Sequence, residues 1–258
     1  MDVPEELRRD YPTFYGTNVF PAEVPDFEPA VRAAADLVIS VGARVAAECD
    51  KVVQKSFPGQ APPQQLENVV RKEHHHACRV LHYFARPDAV SGTDAAPADS
   101  SVDDDWCGWH NDHCVLTGLL PAGYHTDTSG ALVPNPDPQR AGLHIKNRQG
   151  QRVHLPPVGP NALLFQIGET AQVLSGGLLK ATPHMVAAAA TPGISRSTLA
   201  VFMEPGADYR MDMPAAADVE QALLCQYLPP GVPLLSGRWQ AGINFGDFSR
   251  RTFSAYYK

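Results

Sequence analysis

Two histidines and one aspartate restrict the folds open to this chain more than any other feature. His110 and Asp112 stand two residues apart in Trp109-His110-Asn111-Asp112-His113, and His184 follows much later. Alternate residues of a strand point to one side, so a strand would let His110 and Asp112 bind one ion together. Two imidazoles and one carboxylate cover one face of an octahedral ion and leave the other open, as a non-haem Fe(II) centre requires. A ligand set without cysteine argues against structural zinc.

The residues after Trp106 predict many short strands with little helix between them. Asn147-Arg148-Gln149-Gly150 is typical of a hairpin turn, and Ser175-Gly176-Gly177 of another turn. Regularly spaced short strands of this kind are typical of a β-sandwich or barrel. The candidate strands cover residues 114–120, 141–146, 152–155, 162–167, 171–174, 184–189 and 198–203.

Helices are predicted on either side of these strands. Apolar residues recur at steps of three and four from Asp26 to near Ser56, with Asp26 as the expected N-cap. Residues 88–105 are acidic and poor in aromatic side chains, which predicts a mobile loop. The remaining candidates are a short helix at residues 64–72, a strand at 79–84, a helix at 216–227 and an aromatic tail at 245–257.

Length, charge and cysteine usage limit the class of protein. The 258 residues fit one large domain, and a net charge of -7 disfavours binding to nucleic acid or to an anionic membrane. Five scattered cysteines without a Cys-x-x-Cys motif indicate reduced thiols. A basic leader and an 18-residue apolar run are both lacking, so we expect a cytoplasmic protein. We also expect a monomer that acts on a small molecule.

Five motifs follow one another in a fixed order between Gly108 and Pro205. Together they resemble the catalytic core of the 2-oxoglutarate and Fe(II)-dependent oxygenases, in particular the isopenicillin N synthase-like branch. This resemblance implies a mainly β fold with flanking helices and a double-stranded β-helix (jelly-roll, cupin-like) core. The motifs are Trp109-His110-Asn111-Asp112-His113-Cys114-Val115-Leu116-Thr117, Gly142-Leu143-His144-Ile145 to Leu155-Pro156-Pro157, Leu164-Phe165-Gln166-Ile167-Gly168-Glu169, Ser175 to Val186 with Lys180-Ala181-Thr182-Pro183-His184, and Arg196-Ser197-Thr198 in place of the family's Arg-x-Ser.

The resemblance implies a dioxygenase that hydroxylates a small organic substrate while 2-oxoglutarate is decarboxylated to succinate and CO2. Its cofactors would be Fe(II), 2-oxoglutarate and O2, with ascorbate as a reductant. The implied catalytic and metal residues are His110, Asp112 and His184. Arg196 and Thr198 would bind the distal carboxylate of 2-oxoglutarate, because a guanidinium fork and a nearby hydroxyl match its two oxygens. Tyr83 is a further candidate contact, or Phe84 in the other strand register.

The expected organisation has four parts. Residues 1–87 form a helical and extended region with the first core strand, and residues 88–105 the acidic loop. Residues 106–205 form the oxygenase core, on which a helix and aromatic tail at 206–258 pack. The segment from Tyr15 to Pro21 resembles one that lies well inside family members, so most of the family's N-terminal region is expected to be missing.

Several alternatives stay open. His125-Thr126-Asp127 is a second His-x-Asp, although its turn-rich surroundings suit a rigid ligand poorly. A zinc hydrolase would use His110, Asp112 and His113 and need no 2-oxoglutarate. A non-catalytic β-barrel binding module is the third interpretation. His74-His75-His76 predicts a solvated turn, because consecutive side chains point in different directions. The candidates to line a substrate pocket, each equally a core or loop residue, are Trp106, Trp109, Asn111, Tyr124 and Phe202.

Overall fold

The computed structural model describes residues 5–12, 14–16, 18–72, 75–86 and 105–257. The loop predicted at residues 88–105 lies outside these ranges except for Asp105, and so does His74 of the histidine run. The elements are, in chain order, α1 (Glu5–Asp10), α2 (Phe27–Ser56), α3 (Gln65–Lys72), β1 (Ala77–Tyr83), β2 (Asp105–His110), β3 (Leu116–Leu119), β4 (Gly123–Thr126), β5 (Leu132–Val133), β6 (Gly142–Lys146), β7 (Arg152–His154), β8 (Leu164–Ile167), α4 (Glu169–Leu174), β9 (His184–Ala187), β10 (Ile194–Met203), α5 (Val219–Leu223), a 3-10 turn (Leu235–Gly237) and α6 (Phe245–Tyr256).

Helix α2 begins and ends where the apolar periodicity predicts. Asp26 precedes it, but the Asp26 side chain makes no capping hydrogen bond. The buried Asp50 carboxylate instead caps the next helix, accepting from the backbone N–H groups of Leu66 at 3.0 Å and Glu67 at 2.9 Å. This contact fixes α3 against α2. The face of α2 that packs on β3 and β10 buries Val38, Ala43 and Ala46.

Close packing of α2 on the strands depends on a glycine in β3. A Cβ added at Gly118 would lie 2.3 Å from Val38 Cγ1. Any larger residue would therefore push the helix away from the sheet and open the core between them. The side chains of this core include Leu116, Val201 and Met203.

The strands form two antiparallel sheets. The larger has the order β5-β4-β10-β3-β8, and β1 also pairs with β10; the smaller has the order β2-β9-β6-β7. Strand β10 is long enough to pair with β1 along one edge and with β4 and then β3 along the other. The mainly β prediction with flanking helices is confirmed.

Aromatic contacts join the facing sheets. The Trp106 ring of β2 lies 5.9 Å from the Tyr83 ring of β1 and 6.3 Å from the Tyr124 ring of β4. Two register pairs matter for the site between the sheets: Tyr83 opposite Arg196, and His110 opposite His184. In the part of the chain that is described, no helix has the length and apolar character that crossing a bilayer requires.

Two predicted elements are wrong in type or length, and the aromatic tail has a secondary structure that was not predicted. Residues 171–174 belong to helix α4, whose six residues are all buried, because a short apolar run fits a buried helix as well as a strand. The helix predicted at residues 216–227 covers only Val219–Leu223. The aromatic tail is helix α6, capped by the Asn244 side chain, which accepts from Asp247 N–H at 2.8 Å.

Candidate metal centre

Pairing of β2 with β9 places two histidines side by side. His110, the last residue of β2, is the register partner of His184, the first residue of β9. Asp112 lies beyond the end of β2, so alternation along one strand is the wrong reason for its meeting His110. The irregular segment after His110 instead places the Asp112 carboxyl close to the imidazole rings of both His110 and His184.

The three side chains form a compact group. His110 Nε2 lies 3.8 Å from Asp112 Oδ1, and His184 Nε2 lies 3.6 Å from Asp112 Oδ2. Neighbouring ligands about 2.1 Å from an octahedral ion are about 3 Å apart, so an ion needs only a small contraction of this group. Among the residues that the structure describes, no other set of three His, Cys, Asp or Glu side chains is grouped in this way.

Backbone carbonyls orient both imidazoles. His110 Nδ1 lies 2.8 Å from the Gly108 carbonyl oxygen, and His184 Nδ1 lies 3.0 Å from that of Thr182. A carbonyl only accepts hydrogen bonds, so each Nδ1 carries a proton, and Nε2 is the ring nitrogen that faces Asp112. This is the arrangement that metal-binding histidines need.

The Asp112 carboxyl is held in its ionised form. The Thr117 hydroxyl donates to Asp112 Oδ2 at 2.6 Å. Burial opposes ionisation, but the two imidazoles and this hydrogen bond outweigh it and lower the pKa of Asp112 below its ordinary value. A buried, ionised carboxylate beside two imidazoles is a suitable site for a cation.

A buried ion pair anchors the segment that carries these ligands. Arg238 grips both carboxylate oxygens of Glu169, at 2.6 and 2.7 Å, with the two side chains 3% and 1% exposed. Glu169 Oε1 also accepts from Asn111 Nδ2 at 3.2 Å, and Glu169 N–H donates to the Asp112 carbonyl at 2.8 Å. Tyr256 Oη accepts from Asn111 N–H at 3.1 Å. The ligand segment is thus tied to α4 and α6.

A second polar feature lies between the sheets at Arg196. This side chain is 8% exposed, and its Nε and Nη1 are buried without a hydrogen-bond partner. Its guanidinium lies 5.5 Å from the centre of the Tyr83 ring and also interacts with the Tyr124 phenol. Burial raises the pKa of both phenols, while Arg196 opposes the rise. Buried guanidinium N–H groups are costly to leave unpaired, so this position suits an anionic ligand.

The surroundings of Arg196 partly match the predicted carboxylate site. Arg196 and Thr198 line one cavity of about 250 Å³, together with Tyr124 and apolar side chains. The Thr198 hydroxyl donates to the Leu120 carbonyl at 3.0 Å, so it must rotate to donate to a ligand. Phe84, the alternative to Tyr83, is 75% exposed and lies outside the strand.

A larger cavity of about 410 Å³ opens beside the triad. His110 and Asp112 line it, as do His113 and Glu204, whose Nε2 and Oε2 atoms lie 3.9 Å apart. Burial raises the pKa of Glu204 to about 8 and lowers that of His113 to about 4, so both groups are neutral at pH 7. His113 contacts Ser249 Oγ at 3.1 Å and stacks on Phe245, away from the triad.

The other candidate residues have different surroundings. His125 lies on β4, paired with β10 and β5, and does not join a metal-ligating group within the described ranges. His76 bridges the Val70 carbonyl and Glu204 N–H, so it is a structural link and not a solvated turn residue. Sequence reasoning missed the pairing of Glu169 with Arg238, which are 69 residues apart. The one signal was that Glu169 ends a motif shared with the family.

Comparisons with known proteins agree with this geometry. The model of the 2OG-Fe(II) oxygenase superfamily matches residues 75–205, about half of the chain. Jasmonate-induced oxygenase 4 of Arabidopsis thaliana is 37% identical over 84 residues, which is 33% of this chain and 23% of that protein. Feruloyl CoA ortho-hydroxylase 1 of the same plant is 33% identical over 84 residues, 32% of this chain and 22% of that protein. The matched segment therefore spans less than a quarter of these curated relatives.

Solved structures show the same fold. A 2OG-Fe(II) oxygenase family protein from Caulobacter crescentus has a TM-score of 0.60 at 20% identity, covering 98% of this chain and 67% of that one. A full-length Neurospora crassa protein, solved in complex with alpha-KG, has a TM-score of 0.58 at 18% identity, covering 93% and 62%. The dioxygenase for auxin oxidation of rice has a TM-score of 0.54 at 17% identity, covering 98% and 76%.

The fold has a double-stranded β-helix core, and the triad is a group of two histidines and one carboxylate that could hold a metal ion. The family match then gives the identification: the chain belongs to the 2OG-Fe(II) oxygenase superfamily. The predicted core is confirmed, as are Fe(II) and 2-oxoglutarate as the cofactors of its family.

Proposed function

We propose that this protein is an Fe(II)- and 2-oxoglutarate-dependent dioxygenase that hydroxylates a small organic substrate. One observation carries the proposal: a triad of two histidines and a carboxylate and a buried arginine with unpaired N–H groups both lie close to Tyr83, which interacts with Asp112 and with Arg196. A metal site alone would not need that arginine. A cosubstrate with a carboxylate at each end accounts for both features.

The triad residues fit Fe(II). His110 Nε2, His184 Nε2 and one Asp112 oxygen would hold the ion on one face and leave the opposite face open. The Gly108 and Thr182 carbonyls keep the rings in the ligating tautomer. Asp112 stays ionised because of the imidazoles and its Thr117 hydrogen bond.

Arg196 would bind the distal carboxylate of 2-oxoglutarate. Its Nε and Nη1 are buried without a partner, so the guanidinium has N–H groups left to donate to a carboxylate. Thr198 would add a hydroxyl after rotating from Leu120, and the Tyr83 ring fixes the plane of the guanidinium. The Neurospora crassa protein, a neighbour in fold, was solved with alpha-KG, which supports this assignment.

The chain's own residues then set up the reaction. Bound iron with 2-oxoglutarate and O2 supplies the oxidation of a C–H bond, coupled to release of succinate and CO2. Arg196 orients the cosubstrate, and the Asn111–Glu169–Arg238 network fixes the ligand segment. The stacked rings of Tyr83 and Trp106 limit access of water to the space between the sheets. Ascorbate would keep the metal reduced.

The competing functions fit the geometry less well. The zinc hydrolase needs His113 beside Asp112, but His113 packs on Phe245 and contacts Ser249. A non-catalytic barrel has no use for buried, unpaired guanidinium N–H groups, whose desolvation is costly. One relative's name gives feruloyl CoA as its substrate, which is a small organic molecule. The monomeric state, the cytoplasmic location and the four-part division of the chain stay predictions.

Calorimetry under nitrogen tests the proposal without requiring turnover. Mn(II), which does not react, should bind wild type in a 1:1 ratio and should not bind His184→Ala at the same concentration. 2-Oxoglutarate should then bind the Mn(II)-loaded wild type, and roughly 10- to 100-fold more weakly to Arg196→Gln, because charged hydrogen bonds are lost. His125→Ala is the matched control and should behave as wild type. Equal 2-oxoglutarate affinity in wild type and Arg196→Gln would contradict the assignment.

A further inference from the structure

Aromatic side chains surround the cavity beside the triad. This cavity of about 410 Å³ lies between β2, the start of β1, the end of β10 and helix α6. Its volume is in the ordinary range for small-molecule sites. Because His110 and Asp112 line one wall, a molecule in the cavity lies next to the proposed iron. The aromatic side chains that line it are Phe14, Trp109, Phe202, Phe253, Tyr256 and Tyr257.

One cation faces this aromatic cavity. The exposed Arg79 side chain of β1 lines it, with its guanidinium 5.3 Å from the centre of the Phe202 ring. In the described ranges, no carboxylate lies within 4 Å of Arg79 and no hydrogen bond is made by its side chain. Stacking on Phe202 holds the guanidinium plane in place and leaves its N–H edge available for a carboxylate.

The acids of the cavity do not cancel this positive charge. Glu204 is buried and protonated at pH 7, since burial raises its pKa to about 8 although the nearby Arg79 opposes the rise. The Asp112 carboxylate is a proposed metal ligand, so the ion offsets its charge. The positive charge of Arg79 is therefore not neutralised by an acid of the cavity wall, and it favours binding of an anion.

We propose that this cavity binds the substrate, and that the substrate is a flat aromatic carboxylic acid whose carboxylate pairs with Arg79. Its ring lies against the aromatic walls, where stacking and apolar burial stabilise it. The carboxylate at Arg79 then fixes which end of the molecule faces His110 and Asp112. The claim that this aromatic acid is the substrate rests on the proposed function. The claim that the cavity binds such an acid does not.

Two matched probes distinguish the contribution of the aromatic ring to binding from that of the carboxylate charge. We would titrate 2-naphthoate and 2-naphthamide by calorimetry into wild-type protein under nitrogen, with and without Mn(II) and 2-oxoglutarate. The two probes have the same shape, but the amide lacks the charge. The acid should bind roughly five- to tenfold more tightly, as expected for one partly exposed charged pair.

Four variants locate the probe. Arg79→Gln should remove the preference for the acid, whereas Arg32→Gln, which loses a similar arginine–phenylalanine contact on α2, should not. Phe253→Leu should weaken both probes severalfold, because it removes ring surface from the wall. In titrations without 2-oxoglutarate, Arg196→Gln should leave naphthoate affinity unchanged, which excludes binding of naphthoate at the 2-oxoglutarate position.

The outcomes are distinct. Failure of naphthoate to bind, equal affinity for acid and amide, an unchanged preference in Arg79→Gln, no effect of Phe253→Leu, or loss of binding in Arg196→Gln would each overturn the aromatic-acid proposal. If naphthoate binds as expected but 2-oxoglutarate does not bind the Mn(II)-loaded protein, the proposed function fails and the aromatic-acid site stands. The reverse result retains the oxygenase and rejects this substrate class.

Discussion

Removing Arg238 should destabilise the fold by leaving a buried carboxylate without its partner. In Arg238→Met, the Glu169 carboxyl, 1% exposed as a side chain, loses both guanidinium hydrogen bonds. Breaking one side of a buried pair costs about 3 to 5 kcal/mol. Taking up a proton would remove the charge of the Glu169 carboxyl and so reduce this cost. The free energy of that protonation becomes more favourable by about 1.4 kcal/mol for each unit by which the pH is lowered towards the ordinary pKa of the group.

The predicted loss is therefore larger at pH 7 than at pH 5. Urea unfolding followed by circular dichroism at both values measures it. The double variant Arg238→Met/Glu169→Gln should recover most of the lost stability at pH 7, because the charge is gone. A loss below about 1 kcal/mol at pH 7, or one that is equal at pH 5 and pH 7, would refute the reasoning.

Three further predictions concern the same region. Thr117→Val removes the hydrogen bond to Asp112 and should weaken Mn(II) binding roughly tenfold by calorimetry; an unchanged affinity would contradict its role. Gly168→Ala places a Cβ 2.0 Å from a backbone carbonyl oxygen and should lower the thermal midpoint strongly, whereas Gly159→Ala, with nothing within 4 Å, should not. Wild type should lose stability as the pH rises from about 4.5 to about 8, by at most about 1.4 kcal/mol per unit, because folded Glu204 keeps a proton that the unfolded chain has already released. Glu204→Gln should abolish this pH-dependent loss; an unchanged slope would contradict it.

The strongest sequence signals were local patterns with a fixed physical period. The apolar repeat predicted helix α2 almost to the residue, since a helix packed on one side must bury every third or fourth position. The hairpin turn at Asn147 lies between β6 and β7, where the Asn147 side chain accepts from two backbone N–H groups. Motif order brought His110, Asp112 and His184 forward as candidates, and their side chains do meet.

Local patterns could not predict contacts between distant residues. Glu169 and Arg238 are 69 residues apart, and either would read as a surface charge until the fold buries both. The helical form of residues 169–174 depends on burial on all sides, which this six-residue sequence, half of it polar, does not encode. Glu204 and Arg79 both line the cavity beside the triad because β1, which carries Arg79, pairs with β10, which Glu204 follows.

The most direct test of the central claim is succinate formation. Purified protein would be incubated under air with Fe(II), ascorbate, 2-oxoglutarate and candidate small acids, with His184→Ala and Arg196→Gln as the test variants and His125→Ala as the control. We expect wild type and the control to form succinate, His184→Ala to form none, and Arg196→Gln to need at least tenfold more 2-oxoglutarate. Succinate formation by His184→Ala at the wild-type rate would contradict the proposed iron site.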